Sequence, residues 1–153
     1  MSDRWYFAYG SNLAVDQKED RTGKIREARR ARLAGYRVVF NKLGKDKTGK
    51  ANLEPDGGRV VWGVVYLCNP AALKEMDKSE GVACGHYHRA EVEVECDSGE
   101  MLEAVTYIAG ESYVRSSLTP APEYLERIIR GACDHGLPEE YIQEVQRAAQ
   151  GDG

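Results

Sequence analysis

The sequence lacks several features that would narrow its function at once. No apolar run approaches the length that spans a membrane, and only four cysteines occur in 153 residues. These cysteines, Cys68, Cys84, Cys96 and Cys133, are widely separated and form no CxxC pair. We therefore expect buried, reduced thiols rather than disulfides or a zinc site, and no membrane partner.

We also expect no signal peptide. Residues 1–5 lead directly into an apolar segment, which predicts a cytoplasmic protein. The composition is ordinary for a globular chain, with 42% hydrophobic and 30% charged residues. Because 153 residues can bury one core but are too few for two ordinary domains, we predict a single domain over residues 1–153.

Positive charge is concentrated in one segment. Residues 18–50 contain twelve Lys/Arg and four Asp/Glu, a net charge of +8, whereas the whole chain has a formal charge of −4. A basic segment can bind nucleic acid, with an affinity that depends steeply on salt. The arginines, among them Arg29, Arg30, Arg32 and Arg37, alternate with apolar residues, as on the solvent face of a strand pair. No nucleic-acid-binding signature accompanies them, so we predict no nucleic acid partner.

The pattern along the chain predicts strands in the first two thirds, interrupted by helices, and two helices at the end. The expected strands span about residues 5–9, 28–33, 36–41, 51–54, 60–67, 86–95 and 101–108, and the expected helices about 13–20, 70–78, 123–134 and 138–149. Residues 34–35 should form a hairpin or bend one strand, 55–58 a turn, and 42–50 a mobile polar loop. The fold class is α+β, with a closed or nearly closed sheet.

The strand at 60–67 is the most hydrophobic run, and we expect it to be central and buried on both faces. Gly63 lies inside it, which indicates a bulge or a close approach of another backbone. Asn69 and Pro70 mark the start of the following helix, because proline is favoured in the first helical turn.

One stretch joins a strand to a helix through a glycine. It comprises Tyr6, Phe7, Ala8, Tyr9, Gly10, Ser11, Asn12 and Leu13. Ser11 and Asn12 are good helix N-caps, and such a turn exposes backbone N–H groups that attract carboxylates, phosphates or an oxyanion. Many similar turns only connect two elements. The stretch has neither the spacing of a phosphate loop nor the GxSxG elbow that would make Ser11 a nucleophile.

Three further features carry chemistry-bearing side chains. Cys84, His86 and His88 alternate and would share one face of a strand, but three ligands on one strand rarely converge on one ion, so we predict no metal site. His135 lies where a helix should end, and we expect it to interact with the helix dipole. Glu80 lies at or just beyond a helix end and precedes a glycine, although spacing alone does not favour it over Glu75.

Taken together, these motifs resemble the γ-glutamylcyclotransferase (AIG2-like) family. The stretch at 6–13 resembles its signature loop, VWGVV at 61–65 its central strand, and MDKSEGV at 76–82 its Leu/Met-Asp-x-x-Glu-Gly-Val segment. PAPEY at 120–124 and GLPEEY at 136–141 resemble its C-terminal segments. The order and the rough spacing agree over nearly the whole chain, and agree least at residues 42–50.

The resemblance implies a fold, a reaction and a set of site residues. The fold is a small mixed β-barrel with flanking helices. In the reaction, the α-amine of a γ-glutamyl compound attacks its own γ-carbonyl and releases 5-oxoproline and an amine or amino acid, without a metal or organic cofactor. The family's catalytic acid/base falls on Glu80, and its substrate-binding residues fall on the 6–13 stretch and on Tyr87, Tyr107 and Tyr124. Some members are homodimers, so a homodimer is one assembly that the resemblance allows, and the sequence leaves the oligomeric state open.

Several alternatives stay open at this point. The enzyme is a cyclotransferase for γ-glutamyl amino acids or one for γ-glutamylamines in a biosynthetic or catabolic pathway, or the chain is a catalytically silent module that binds a small acidic metabolite. The amine half of the substrate is not identified. The backbone of Gly10 and Ser11 could hold either the α-carboxylate of the substrate or the oxyanion that forms on the γ-carbonyl.

Overall fold

A closed barrel of five strands forms the centre of the fold in the computed structural model, which describes residues 2–151. The strands are β1 (Arg4–Ala8), β2 (Ala28–Leu43), β3 (Gly49–Cys68), β4 (Tyr87–Cys96) and β5 (Met101–Ala109). Their order around the barrel is β1-β3-β2-β4-β5. A parallel pairing of β1 with β5 closes the barrel, and the other neighbours are antiparallel. The predicted α+β class with a small mixed barrel is confirmed.

Two strands are longer than the sequence pattern predicted. β2 continues through residues 34–35, where a shift in its register against β3 bends it, so the bent-strand alternative is correct. β3 continues through residues 55–58, so the predicted turn there is wrong. Pro55 lies beside the same register shift, where a missing backbone N–H group is tolerated. Because β2 and β3 stay paired almost to their ends, the predicted loop at 42–50 shortens to residues 44–48.

Four helices flank the barrel: α1 (Val15–Thr22), α2 (Pro70–Ser79), α3 (Pro122–Asp134) and α4 (Glu139–Ala149). The start of α2 is as predicted, since the Asn69 side chain accepts a hydrogen bond of 2.8 Å from the Ala72 N–H and Pro70 occupies the first turn. No helix within residues 2–151 is long and apolar enough to cross a membrane.

The chain enters α1 differently from the prediction. Ser11 and Asn12 do not cap α1; they form a short 3-10 turn with Leu13, and Ala14 is the N-cap residue of the helix. Their side chains are buried and bond within the site described below instead of closing the helix end. His135 is the C-cap residue of α3, and its Nε2 lies 2.9 Å from the carbonyl oxygen of Leu13, which ties this turn to α3.

The arginines of β2 are paired with acidic side chains. The pairs are Arg29 with Glu100, Arg30 with Asp97, Arg32 with Glu95 and Arg37 with Glu54. The positive charge of this part of residues 18–50 is therefore largely neutralised on the barrel surface, in agreement with the interpretation of a solvent face.

The alternating group Cys84, His86 and His88 does not share a strand face. Cys84 lies in a 3-10 turn and His86 in the loop that follows, so only His88 belongs to β4, which begins at residue 87. Three such groups on one face would need β4 to begin earlier, but the left-handed conformations of Gly81 and Gly85 turn the chain there. Across residues 2–151, no cluster of three or more His, Cys, Asp or Glu side chains is placed to hold a metal ion.

All four cysteines are free thiols, but only two are buried as predicted. Cys68 and Cys96 lie in the core, whereas Cys84 and Cys133 are exposed at a turn and on a helix surface. Burial raises the pKa of the Cys68 thiol, which favours its protonated, less reactive form.

Gly63 brings β1 and β3 into close contact, as its position in a buried strand predicted. A Cβ atom at residue 63 would lie 2.3 Å from the carbonyl oxygen of Ala8 and 2.9 Å from the ring of Phe7. No side chain fits in this space. Because residue 63 is a glycine, the end of β1 can pair closely with β3. This contact positions the residues that follow β1.

We expect Gly63→Ala to destabilise the protein by roughly 3 kcal/mol, because the added methyl group must displace a backbone carbonyl and an aromatic ring. Gly57→Ala is the matched control in the same strand: an added Cβ at residue 57 meets no atom within 4 Å. The control should change stability by less than about 0.5 kcal/mol. Urea unfolding of the three proteins measures both values, and equal stabilities would contradict the close contact.

Candidate active site

One cavity of about 420 Å³ lies where β1 and β2 end and β3 and β4 begin, beside the C-terminal end of α2. Most of the predicted site residues line it. They are Tyr6, Tyr9, Gly10, Ser11, Asn12, Glu80, Tyr87, Tyr107 and Tyr124. Residues from both ends of the chain therefore meet at one concave surface, as expected for a small-molecule site.

Three predicted site residues do not line the cavity. Phe7, Ala8 and Leu13 are at most 1% exposed and belong to the hydrophobic core. Phe7 alternates with Tyr6 along β1, so its ring lies on the opposite face of the strand, near Gly63. Leu13 packs against Gly131 of α3, where a Cβ atom would lie 2.8 Å from the Leu13 Cβ. The placement of these three residues in the substrate site is corrected accordingly.

Glu80 reaches the cavity because α2 ends immediately before it. Its backbone N–H donates a 2.9 Å hydrogen bond to the carbonyl of Met76, and Gly81 then adopts the left-handed conformation that turns the chain away. The Glu80 side chain is only 15% exposed. The position predicted for Glu80, at a helix end before a glycine, is confirmed.

The environment of Glu80 favours its protonated form. Burial raises the pKa of its carboxyl group, and the positive charges of Arg21 and Lys42 oppose this effect without cancelling it. Its Oε1 lies 3.9 Å from the Arg21 guanidinium and 3.5 Å from the side-chain nitrogen of Asn12. A carboxyl group of raised pKa in a cavity is a candidate for acid/base chemistry.

Asn12 connects the two sides of the cavity. Its Nδ2 donates to the Tyr6 hydroxyl at 2.9 Å and approaches Glu80, while its Oδ1 accepts bonds of 3.2 Å from both Gln17 and Arg21. Because the oxygen faces these two donors, the amide nitrogen faces the carboxyl group. Asn12 therefore holds Arg21 and Glu80 on the same side of the cavity.

The turn after β1 offers unpaired backbone donors. Gly10, Ser11 and Asn12 line the cavity, and none of their N–H groups donates a hydrogen bond within residues 2–151. At Gly10, a Cβ atom would lie 3.3 Å from Ala51 and 3.7 Å from the Tyr124 hydroxyl. The glycine thus keeps this part of the cavity open, and the three N–H groups remain available to an anionic ligand.

The tyrosine hydroxyls that surround the cavity are held in fixed positions. Tyr87 donates to the Ala51 carbonyl at 2.7 Å, and Tyr124 accepts from the Ala51 N–H at 3.0 Å. Tyr107 donates to Asp77 at 2.6 Å, and Arg89 holds that carboxylate through two bonds of 2.8 Å. Burial raises the pKa of Tyr107, so its hydroxyl stays neutral, and its oxygen can still accept a bond from a ligand.

Several cationic residues of the cavity were not predicted as site residues. Arg21 and Arg127 come from helices α1 and α3, and Lys42, Lys45 and Lys50 come from the ends of the β2–β3 hairpin. Nothing in the local sequence marks the two arginines. Lys42 did carry a signal, since it follows the buried residues Val38 and Phe40 in strict alternation.

A raised-pKa carboxyl group, unpaired N–H donors and fixed tyrosines in one cavity define a site for acid/base chemistry on a small anionic molecule. Residues 60–145 match the AIG2-like family. The γ-glutamylcyclotransferase of Homo sapiens is 34% identical over 146 residues, which cover 92% of this chain and 76% of that protein. A solved γ-glutamyl cyclotransferase has a TM-score of 0.82 at 32% identity, covering 95% of this chain and 87% of the other.

A further solved structure, of a glutathione-specific γ-glutamyl cyclotransferase from yeast, has a TM-score of 0.71 and covers 99% of this chain and 97% of its own. At 16% identity this likeness shows the fold alone. The chain belongs to the γ-glutamylcyclotransferases of the AIG2-like family. The family predicted from the resemblance of the sequence is confirmed, and so is the prediction that the chain is an enzyme of this class.

We expect Glu80→Gln to stabilise the folded protein at about pH 8. A pKa that is raised in the folded state means that ionised Glu80 destabilises the fold at high pH, and that this destabilisation disappears as the pH falls below the usual glutamate pKa of about 4.3. The free energy of unfolding, measured by urea titration across this range, should therefore be higher for Glu80→Gln at high pH and converge with the wild type near pH 4.

Glu75→Gln is the control for this measurement, because Glu75 lies on the same helix with its side chain 53% exposed. Its effect should stay below about 0.5 kcal/mol. A Glu80→Gln protein that is less stable than the wild type at high pH would contradict the raised pKa.

Proposed function

We propose that this chain cyclises the γ-glutamyl group of a small amide. The α-amine attacks the γ-carbonyl carbon, the bond from that carbon to the amine half breaks, and 5-oxoproline and a free amine or amino acid leave. The observation that carries this proposal is the buried carboxyl group of Glu80, with its raised pKa, beside the unpaired N–H groups that follow β1.

Glu80 is the proposed acid/base. In water the attacking α-amine is an ammonium ion, and the ionised carboxylate of Glu80 takes one of its protons. A raised pKa makes Glu80 a stronger base than an exposed glutamate, whose pKa is about 4.3. The Arg21 guanidinium at 3.9 Å opposes this effect and favours the ionised form, which accepts the proton.

The same group then completes the reaction. After the ring closes, the protonated Glu80 gives its proton to the departing nitrogen, and the bond from the γ-carbon to that nitrogen breaks. The ring nitrogen still holds two protons, so the regenerated carboxylate takes one of them, which leaves the lactam N–H, and passes it to the released amine, which departs as an ammonium ion. The attacking nitrogen thus loses two protons, the departing nitrogen gains two, and no water is consumed. One carboxyl group therefore suffices for the transfer of both protons, and Glu80 returns to its ionised form.

Two negative charges need hydrogen-bond donors during this reaction: the α-carboxylate of the substrate and the oxyanion that forms on the γ-carbonyl. The N–H groups of Gly10, Ser11 and Asn12 and the hydroxyl proton of Tyr6 are the donors available beside Glu80. One well-placed donor to an oxyanion contributes about 3 kcal/mol. Tyr6 already accepts a bond from Asn12, which leaves its own proton for the substrate.

The tyrosines shape the cavity around a folded substrate. Five-membered ring closure is intramolecular, so the rate depends on holding the amine close to the γ-carbonyl. Tyr87, Tyr107 and Tyr124 have hydroxyls fixed by hydrogen bonds to the protein, and their rings wall the cavity. We propose that they keep the glutamyl chain folded back on itself.

The silent binding module is the weaker alternative. A module that only binds an acidic metabolite gains nothing from a buried carboxyl group, since the ionised form of Glu80 would repel that ligand. The single domain over residues 1–153, the cytoplasmic location and the homodimer stay predictions for this chain.

We expect Glu80→Gln to reduce 5-oxoproline release from γ-glutamyl amino acids by at least roughly a hundredfold, because both proton transfers are lost. Glu75→Gln, at the second acidic position that the sequence offered, should retain wild-type rates. Release is measured by chromatography of the product with purified, folded proteins. Near-wild-type release by Glu80→Gln would show that another group performs the proton transfers.

We expect kcat/KM to fall at acid pH as Glu80 becomes protonated, because only the ionised form accepts a proton. The acid limb of the pH profile of kcat/KM should therefore report the pKa of Glu80. The charge of Arg21 lowers that pKa, so Arg21→Met should move the limb to higher pH. Arg130→Met is the control, since Arg130 is 54% exposed and pairs with Asp16 outside the cavity. A limb that stays in place in Arg21→Met would contradict the role of Glu80 as the base.

A further inference from the structure

Lys42 is a buried cation without an anionic partner. The residue is only 4% exposed, and its Nζ lies 2.8 Å from Nδ1 of His86 and over the rings of Tyr87 and Tyr113, at 5.2 and 5.1 Å. Among the ion pairs of residues 2–151, none includes Lys42. A buried ammonium group of this kind is costly unless something compensates its charge.

The other cations of the cavity are better accommodated. Lys50 pairs with Asp46 at 3.3 Å, Arg21 lies 3.9 Å from Glu80, and Lys78 pairs with Glu75 at 3.2 Å outside the cavity. Six cationic side chains but only two carboxyl groups line the cavity, and burial raises the pKa of one of these two, Glu80. The cavity therefore has more positive charge than the single α-carboxylate of a glutamyl group balances.

Lys42 lines the same cavity as Glu80. The end of the β2–β3 hairpin brings it there, whereas the backbone N–H groups of the turn after β1 come from another part of the chain. Glu80 must reach the departing nitrogen, so a carboxylate on the amine half enters a cavity in which Lys42 is a buried cation without an anionic partner among the described residues.

We propose that Lys42 is a specificity-determining residue that binds a carboxylate on the amine half of the substrate, so that the enzyme selects γ-glutamyl amino acids over γ-glutamylamines. This inference rests on the proposed function. Burial and the neighbouring Lys45 and Lys50 lower the pKa of Lys42, and a bound carboxylate would offset all three effects. His86, whose Nδ1 faces Lys42, fixes the direction of the ammonium group.

The test compares two substrates that differ only in that carboxylate: γ-glutamylalanine and γ-glutamylethylamide. A charged hydrogen bond predicts that wild-type kcat/KM is roughly ten- to a hundredfold higher for γ-glutamylalanine, mainly through a lower KM. In Lys42→Met this ratio should fall toward one. Lys42→Arg, which keeps the charge, should retain most of the preference, and Lys74→Met, at an exposed position on α2 outside the cavity, should retain all of it.

The outcomes separate this inference from the proposed function. Release of 5-oxoproline from both compounds at equal kcat/KM by the wild type would overturn the role of Lys42 while leaving the reaction intact, whether or not any variant folds. A folded Lys42→Met protein with an unchanged ratio would do the same. If the wild type releases 5-oxoproline from neither compound, the proposed function itself fails, and this inference fails with it.

Discussion

The site depends on the side chain of Asn12, which joins two segments that lie 68 residues apart. Its amide oxygen accepts hydrogen bonds from Gln17 and Arg21, and its nitrogen consequently faces Tyr6 and Glu80. Asn12 can do this because it lies in a 3-10 turn and not at the start of α1, where its side chain would bond to the helix. Two close contacts position this turn: β1 pairs closely with β3 at Gly63, and α3 packs on Leu13 through Gly131. Packing at Gly63 and Gly131, outside the cavity, thus helps to set the distance between Glu80 and Arg21.

The cavity buries charged groups, which lowers stability, although the proposed reaction needs them. Burial disfavours charge, yet the cavity contains Glu80, Arg21 and Lys42 together. Burial pushes the pKa values of Glu80 and Lys42 toward their neutral forms, and their opposite charges push both back. For Glu80, burial has the larger effect, and its pKa is raised.

Local chemistry explains why parts of the fold and site were predictable. The Asn69–Pro70 helix start, the glycine after Glu80 and the buried run around Gly63 are signals that a few adjacent residues carry, and the structure confirms each. The predicted turn at 55–58 failed because these residues form an irregular stretch inside β3: Pro55 still pairs with Tyr36 of β2, and the pairing resumes at Val60 opposite Ala34. The misplacement of Phe7 has a different cause. A motif names a continuous stretch, whereas a strand presents only alternate residues to the cavity.

The β2–β3 hairpin shows how an error about an element becomes an error about a site. With residues 42–50 taken as a mobile loop, Lys42 was one solvated lysine among several. In the structure β2 continues to Leu43, so Lys42 follows Val38 and Phe40 on the buried face of the strand. The period of two that marks a half-buried strand applies to charged residues as well as to apolar ones. A lysine in phase with two buried residues is therefore a signal of a functional position, because an ordinary lysine would occupy the solvent face. Extending that alternation by two residues, from Phe40 to Lys42, turns a solvated lysine into a buried cation of the cavity that contains Glu80.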